Sequence, residues 1–170
     1  ATDWKQDIMI QAVGVNYSNP GAMRSDVLVS YGEPIPLKEY KEIYDENPNK
    51  AALQLMRRIG ADLKANITCI EDKSKADFLE HILILTRKGM NHQHFDTSYT
   101  LEERYKFSQS TANKINAEYT EESEDWTKLE GDCKNYFNQL DKKGIDEELV
   151  HEYSEEKSKN IVYKWIYLIL

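Results

Sequence analysis

The sequence predicts an α+β protein that is mostly α-helical, with a small sheet portion followed by a C-terminal helical bundle. Three observations predict it. Two apolar runs rich in β-branched residues lie near the start, at residues 8–17 and 26–31. From residue 47 onward apolar residues recur every three or four positions, the period of an α-helix. Hydrophobic residues make up 40% and charged residues 31% of the 170, which suits a folded chain with a real core rather than a disordered one.

The first run, Ile8-Met9-Ile10-Gln11-Ala12-Val13-Gly14-Val15-Asn16-Tyr17, is nearly continuous in apolar residues. It reads as one strand buried on both faces, in a parallel or mixed sheet covered by helices. Ser18-Asn19-Pro20-Gly21 supplies a turn. The second strand, Asp26-Val27-Leu28-Val29-Ser30-Tyr31, is ended by Gly32-Glu33-Pro34-Ile35-Pro36, because proline cannot donate to a ladder. A two-stranded sheet is marginal in water. Either helices cover the first strand, or its neighbours lie upstream of residue 1; the second accounts better for a doubly buried strand.

Asn47-Pro48 opens the first long helix, asparagine as cap and proline in the first turn. Leu53, Met56, Gly60, Leu63 and Ile67 form its apolar stripe. Ser74 opens the next helix, with Phe78, His81, Ile82 and Leu85 inward and Gly89 as its stop. Residues 90–99 read as a polar loop. Thr100-Leu101-Glu102-Glu103 is a capping-box pattern, followed by an inner row of Leu101, Tyr105, Ser108, Ala112, Ile115 and Tyr119. The next helix carries Trp126, Leu129, Cys133, Tyr136, Phe137 and Leu140 and stops at Gly144. Asp146 caps a shorter helix through Tyr153.

The last ten residues, Ile161-Val162-Tyr163-Lys164-Trp165-Ile166-Tyr167-Leu168-Ile169-Leu170, are the most hydrophobic stretch. They are about half of the ~20 residues that span a bilayer. They read as a C-terminal helix docked on the core, or as the start of a membrane helix with Trp165 and the tyrosines at the interface.

The net charge is −8. Residues 118–157 hold fourteen acidic and five basic side chains, so the deficit lies there. Such a segment repels phosphate backbones, which excludes nucleic-acid binding, and repels an anionic bilayer. A solvated helical face is its plain reading; a partner surface is the other. Cys69 and Cys133 match no zinc or redox spacing and read as reduced thiols in a cytoplasmic protein. No glycine-rich phosphate loop is present, and no cofactor is expected. His92, His94 and Asp96 carry ligand chemistry, but their surroundings read as a polar loop and no metal site is assigned. The N-terminus, Ala1-Thr2-Asp3-Trp4, has no signal-peptide core and no methionine. That fits removal of the initiator, or a piece of a longer chain.

One segment carries a resemblance. Ala12-Val13-Gly14-Val15-Asn16-Tyr17, then Arg24-Ser25, Val27-Leu28-Val29 and Gly32-Glu33-Pro34-Ile35, is similar to the region after the active-site motifs of the glycerol-phosphate and lysophosphatidate acyltransferase family. Ala12 stands where that family often has proline. The resemblance implies that residues 1–46 are the C-terminal part of an α/β acyltransferase domain. Residues 47–159 are then an appended helical region, and 160–170 an apolar segment that reads as the start of a membrane helix. It implies transfer of an acyl group from a thioester to a glycerophosphate-type acceptor in phospholipid synthesis, at the inner face of the membrane. It also implies that Gly14, Asn16 and Arg24 flank the substrate cleft, where Arg24 can grip a phosphate with two hydrogen bonds; a structural salt bridge or carbonyl contact is the other reading of Arg24. The family's histidine, four residues and aspartate do not occur: Thr86, Thr97, Tyr99 and Glu156 stand at the required offset from His81, His92, His94 and His151. No catalytic residue is carried over, and this chain alone is expected to be inactive. The alternative is a noncatalytic acidic helical interaction module.

Overall fold

The computed structural model describes residues 4–19, 23, 25–90 and 98–159, the side chains as far as 153. Four short strands come first: β1 Met9–Ile10, β2 Val13–Tyr17, β3 Val27–Tyr31 and β4 Ile35–Pro36. Six helices follow: α1 Lys41–Glu46, α2 Pro48–Ala65, α3 Ala76–Thr86, α4 Leu101–Glu118, α5 Glu124–Lys143 and α6 Glu147–Lys159. The chain is thus mostly helical with a small strand portion.

The strands correct the first expectation. Residues 8–17 break into β1 and β2, and both pairings are antiparallel: β1 with β4, and β2 with β3. β2 is not buried on both faces. Val13, Val15 and Tyr17 are exposed while Gly14 and Asn16 are buried. Alternate residues of a strand point to opposite faces, and here the inward face carries the small and polar members. β3 ends at Tyr31, just before the Gly32–Pro36 stretch, yet Ile35 and Pro36 are themselves paired opposite Ile10 and Met9, and Leu37 N donates to Ile8 O at 2.9 Å.

Helix starts follow local chemistry. The Asn47 side chain accepts from Lys50 N at 3.1 Å, with Pro48 in the first turn of α2. Thr100 and Glu103 close a reciprocal capping box on α4. Asp146 accepts from Leu149 N at 2.8 Å at the start of α6, which runs past Tyr153 to Lys159. Gly144, at φ 63°, stops α5 in the left-handed region that glycine enters without strain. α3 ends earlier than expected: Arg87, at φ 55°, is its cap rather than Gly89.

Two inner faces also differ. α2 buries Ala51, with Leu55 and Ile59 half-buried beside it, while Leu53, Met56, Gly60 and Leu63 face out. On α3, Leu79 and Leu83 are buried with Phe78, and Leu85 is exposed. The main core lies where α3, α4 and α5 meet: Phe78, Leu79, Leu83, Ala112, Ile115 and Cys133, flanked by Ile70, Phe107, Tyr119 and Trp126. Each large side chain buried there contributes ~1.5–3 kcal/mol. Phe78 meets Tyr119 and Trp126 edge-on, with centroids 6.1 and 6.2 Å apart. Beside them Lys75 Nζ donates to Tyr119 Oη and to Glu130 Oε2, both at 2.9 Å, and Tyr119 Oη donates to Glu130. Asn116 ties the α2–α3 connection to α4, donating to Cys69 O and accepting from Glu71 N, both at 2.9 Å.

No helix among the described residues is long and apolar enough to cross a membrane. The apolar segment 161–170 lies outside the described residues. Both cysteines are free, Cys133 buried and Cys69 half-buried.

Candidate functional site

The segment that carries the resemblance folds as the β2–β3 hairpin, whose inward face meets the end of α2. Asn66, the residue that ends α2, lies over two hairpin glycines. A Cβ on Gly14 would stand 1.8 Å from the Asn66 carbonyl oxygen, and one on Gly32 would stand 2.8 Å from its side-chain nitrogen. Only glycine lets the two backbones approach this closely. Asn16 Nδ2 donates to the same Asn66 carbonyl at 3.0 Å, and Asn16 Oδ1 accepts from Thr68 N at 3.4 Å. Asn66 in turn donates to Asp62 O at 2.7 Å. Asn16 therefore satisfies backbone groups at the helix end that burial would otherwise leave unpaired.

Gly14 and Asn16 are brought together against the end of α2. Arg24 lies outside the described residues, as do His92, His94 and Asp96. Ser25, the other half of the Arg-Ser pair, closes the hairpin end. Its hydroxyl accepts from Asn19 N at 2.8 Å and meets the Ser18 hydroxyl at 3.2 Å, while Ser18 Oγ accepts from Asp26 N at 3.0 Å.

One polar residue that sequence periodicity does not single out is Arg104. It lies on the buried side of α4, where Nε donates to Gly89 O and Nη2 to Met90 O, both at 2.9 Å. Burial pulls its pKa down, partly offset by the carboxylate of Asp26. Ser108, one turn further on, accepts from Met90 N at 2.9 Å. Arg104 thus fastens the α3–α4 connection to α4. The signal was faint: an arginine four residues after the capping residue reads as a solvated charge. Tyr105, next to it, has its pKa raised by burial, with a hydrogen bond to Ser30 opposing the shift.

At the other end of the bundle an open cleft of about 300 Å³ lies between α3, α5 and α6. Ile84, Phe137, Leu140 and Ile145 contribute apolar lining, and Asp141, Asp146 and Glu148 carboxylates. Glu147 lies 3.5 Å from Arg87; burial pushes its pKa up and Arg87 opposes that. His81 stacks on Phe137 with centroids 4.0 Å apart. No group of three metal-ligating side chains occurs among the described residues. The chain matches no family model, no curated protein and no solved structure.

Proposed function

We propose that residues 1–46 complete the sheet of an acyltransferase domain, and that the parent protein moves an acyl group from a thioester to a glycerophosphate-type acceptor in phospholipid synthesis. One observation supports this most. The outward face of the β2–β3 hairpin holds three cross-strand pairs, Val13 with Tyr31, Val15 with Val29 and Tyr17 with Val27. All six are between 41% and 67% exposed. Among the described residues β2 and β3 pair only with each other, so each also presents an open edge. A two-stranded unit with a contiguous apolar face and two free edges favours further strands beside it and a covering layer. An α/β acyltransferase domain has both.

In the proposed reaction the acceptor hydroxyl oxygen attacks the thioester carbonyl carbon. The carbon–sulfur bond breaks, the thiol leaves, and the hydroxyl proton passes through a general base to the departing sulfur. No residue of this chain is assigned as that base. Gly14 and Asn16 position α2 on the hairpin, and Arg24 remains the residue proposed for phosphate. Substrates are reached through the parent domain.

The acidic-module reading has less support. It asks for apolar side chains displayed on the acidic helices. Leu129 and Leu149 are exposed there, but Leu140 is buried, Trp126 packs on the core and Phe137 lies against His81.

The test compares residues 1–170 with the product of the complete reading frame, each supplied with a labelled acyl thioester and either glycerol 3-phosphate or lysophosphatidate. Transfer by the complete product and none by residues 1–170 is expected. Transfer by residues 1–170 alone overturns the inactivity, and no transfer by either overturns the acyltransferase reading.

A further inference from the structure

α2 is the basic element of an acidic protein. Lys50, Arg57, Arg58 and Lys64 lie on it against a single carboxylate, Asp62, whereas the whole chain is at −8. Its outward face is apolar: Leu53, Met56 and Leu63 are 52%, 65% and 41% exposed. Gly60 lies between them in the same row, and nothing stands within 4 Å of the place its Cβ would take. Lys50, Arg57 and Lys64 recur every seven residues, so they form a second row beside the apolar one. Arg57 stands four residues after Leu53 and three before Gly60, next to both.

The charges in that row are open to a ligand. Lys50 and Arg57 form no ion pair among the described residues, and Lys64 pairs with Glu71 in an exposed bridge of 2.6 Å that costs little to exchange. Arg58 is held by Asp62 and stands apart from the row. An apolar stripe bordered by cations is the pattern of a helix lying in a bilayer interface, its apolar side chains among the acyl chains and its cations at anionic headgroups.

We infer that the Leu53–Met56–Leu63 face of α2, with Lys50, Arg57 and Lys64 along its border, is a docking surface for an anionic lipid bilayer. Charge separates this face from the outer face of the hairpin, whose six side chains are all uncharged and which suits a protein layer instead. The inference does not rest on the acyltransferase reading. The acidic segment 118–157 belongs to other helices, chiefly α5 and α6.

The test is co-sedimentation of the purified 170-residue chain with vesicles of phosphatidylcholine, alone or mixed with phosphatidylglycerol. Binding to the mixed vesicles is expected, falling with added salt because the attraction between surface charges is screened. Arg57→Gln should weaken it about fivefold, and Arg57→Gln with Lys50→Gln about 25-fold. Leu53→Ser with Met56→Ser should abolish it, and circular dichroism should show the helices intact, since both side chains are exposed. Leu149→Ser, an exposed leucine on α6, should change nothing. Absent binding, equal binding to both vesicle types, or binding that survives Leu53→Ser with Met56→Ser would each overturn the inference. The last outcome would assign membrane contact to the apolar segment 161–170 instead.

Discussion

Asn16 on β2 and Asn66 at the end of α2 are fifty residues apart and joined by a hydrogen bond of 3.0 Å, side-chain amide to backbone carbonyl. The same carbonyl oxygen occupies the space that a Cβ on Gly14 would need. One peptide group therefore sets the register of helix on hairpin and dictates two residue types on the strand.

Gly14→Ala should be costly. The clash is with backbone, not with the end of a flexible side chain, so hairpin and helix must separate. A loss of about 3 kcal/mol is expected, at the upper end for overpacking, read from the urea midpoint. Gly32→Ala should cost less, because its nearest neighbour is the Asn66 side-chain nitrogen.

Asn16→Ala removes the donor to Asn66 O and the acceptor for Thr68 N. Leaving these part-buried groups unpaired should cost ~1–3 kcal/mol. Amide exchange at Thr68 should accelerate, while exchange in the middle of α4 changes only as far as global stability does.

The Lys75–Tyr119–Glu130 cluster should make stability fall in acid. Hydrogen bonds that Lys75 donates to Tyr119 and Glu130 raise its pKa, against the opposing effect of burial. Burial pushes the Glu130 carboxyl up, but hydrogen bonds from Tyr119 and Lys75 outweigh it and leave the pKa below the usual glutamate value. A carboxyl depressed in the folded state stabilises the fold above its unfolded pKa of ~4.3. That contribution disappears as pH falls through the folded value. Glu130→Gln should thus destabilise at pH 7 by ~1–3 kcal/mol and flatten the stability curve below about pH 4.5. An unchanged acid slope in the variant would remove Glu130 as its source. Lys75 adds stability that is complete below about pH 10 and fades only as pH rises towards its raised folded value.

Phe78→Ala should cost ~3–5 kcal/mol, the usual range for a buried aromatic. Phe78 lies against the rings of Tyr119 and Trp126 and is 2% exposed. The near-ultraviolet signal of Trp126 should weaken even where helicity persists. Thr100→Ala, which opens the capping box of α4, should cost about 1 kcal/mol.

The sequence by itself determined the coarse class and those boundaries whose chemistry is local. The caps at Asn47, Thr100 and Asp146 and the stop at Gly144 are legible because the partner atoms lie within a few residues. So is the inner row of α4, where Tyr105, Ser108, Ala112 and Ile115 are buried as their spacing indicates. Tertiary structure decided which way a face turns. Periodicity says that Val13, Val15 and Tyr17 share a side, and that Leu53, Met56 and Leu63 share another, but not that both point outward. On the hairpin that outcome depends on Asn66, whose carbonyl selects Gly14 and Asn16 as the inward set from fifty residues away. Arg104 likewise reads as solvated until the Gly89 and Met90 carbonyls reach it. A helix or strand repeat records only neighbours along the chain, whereas the inward direction is set by close packing and hydrogen-bond satisfaction among distant segments.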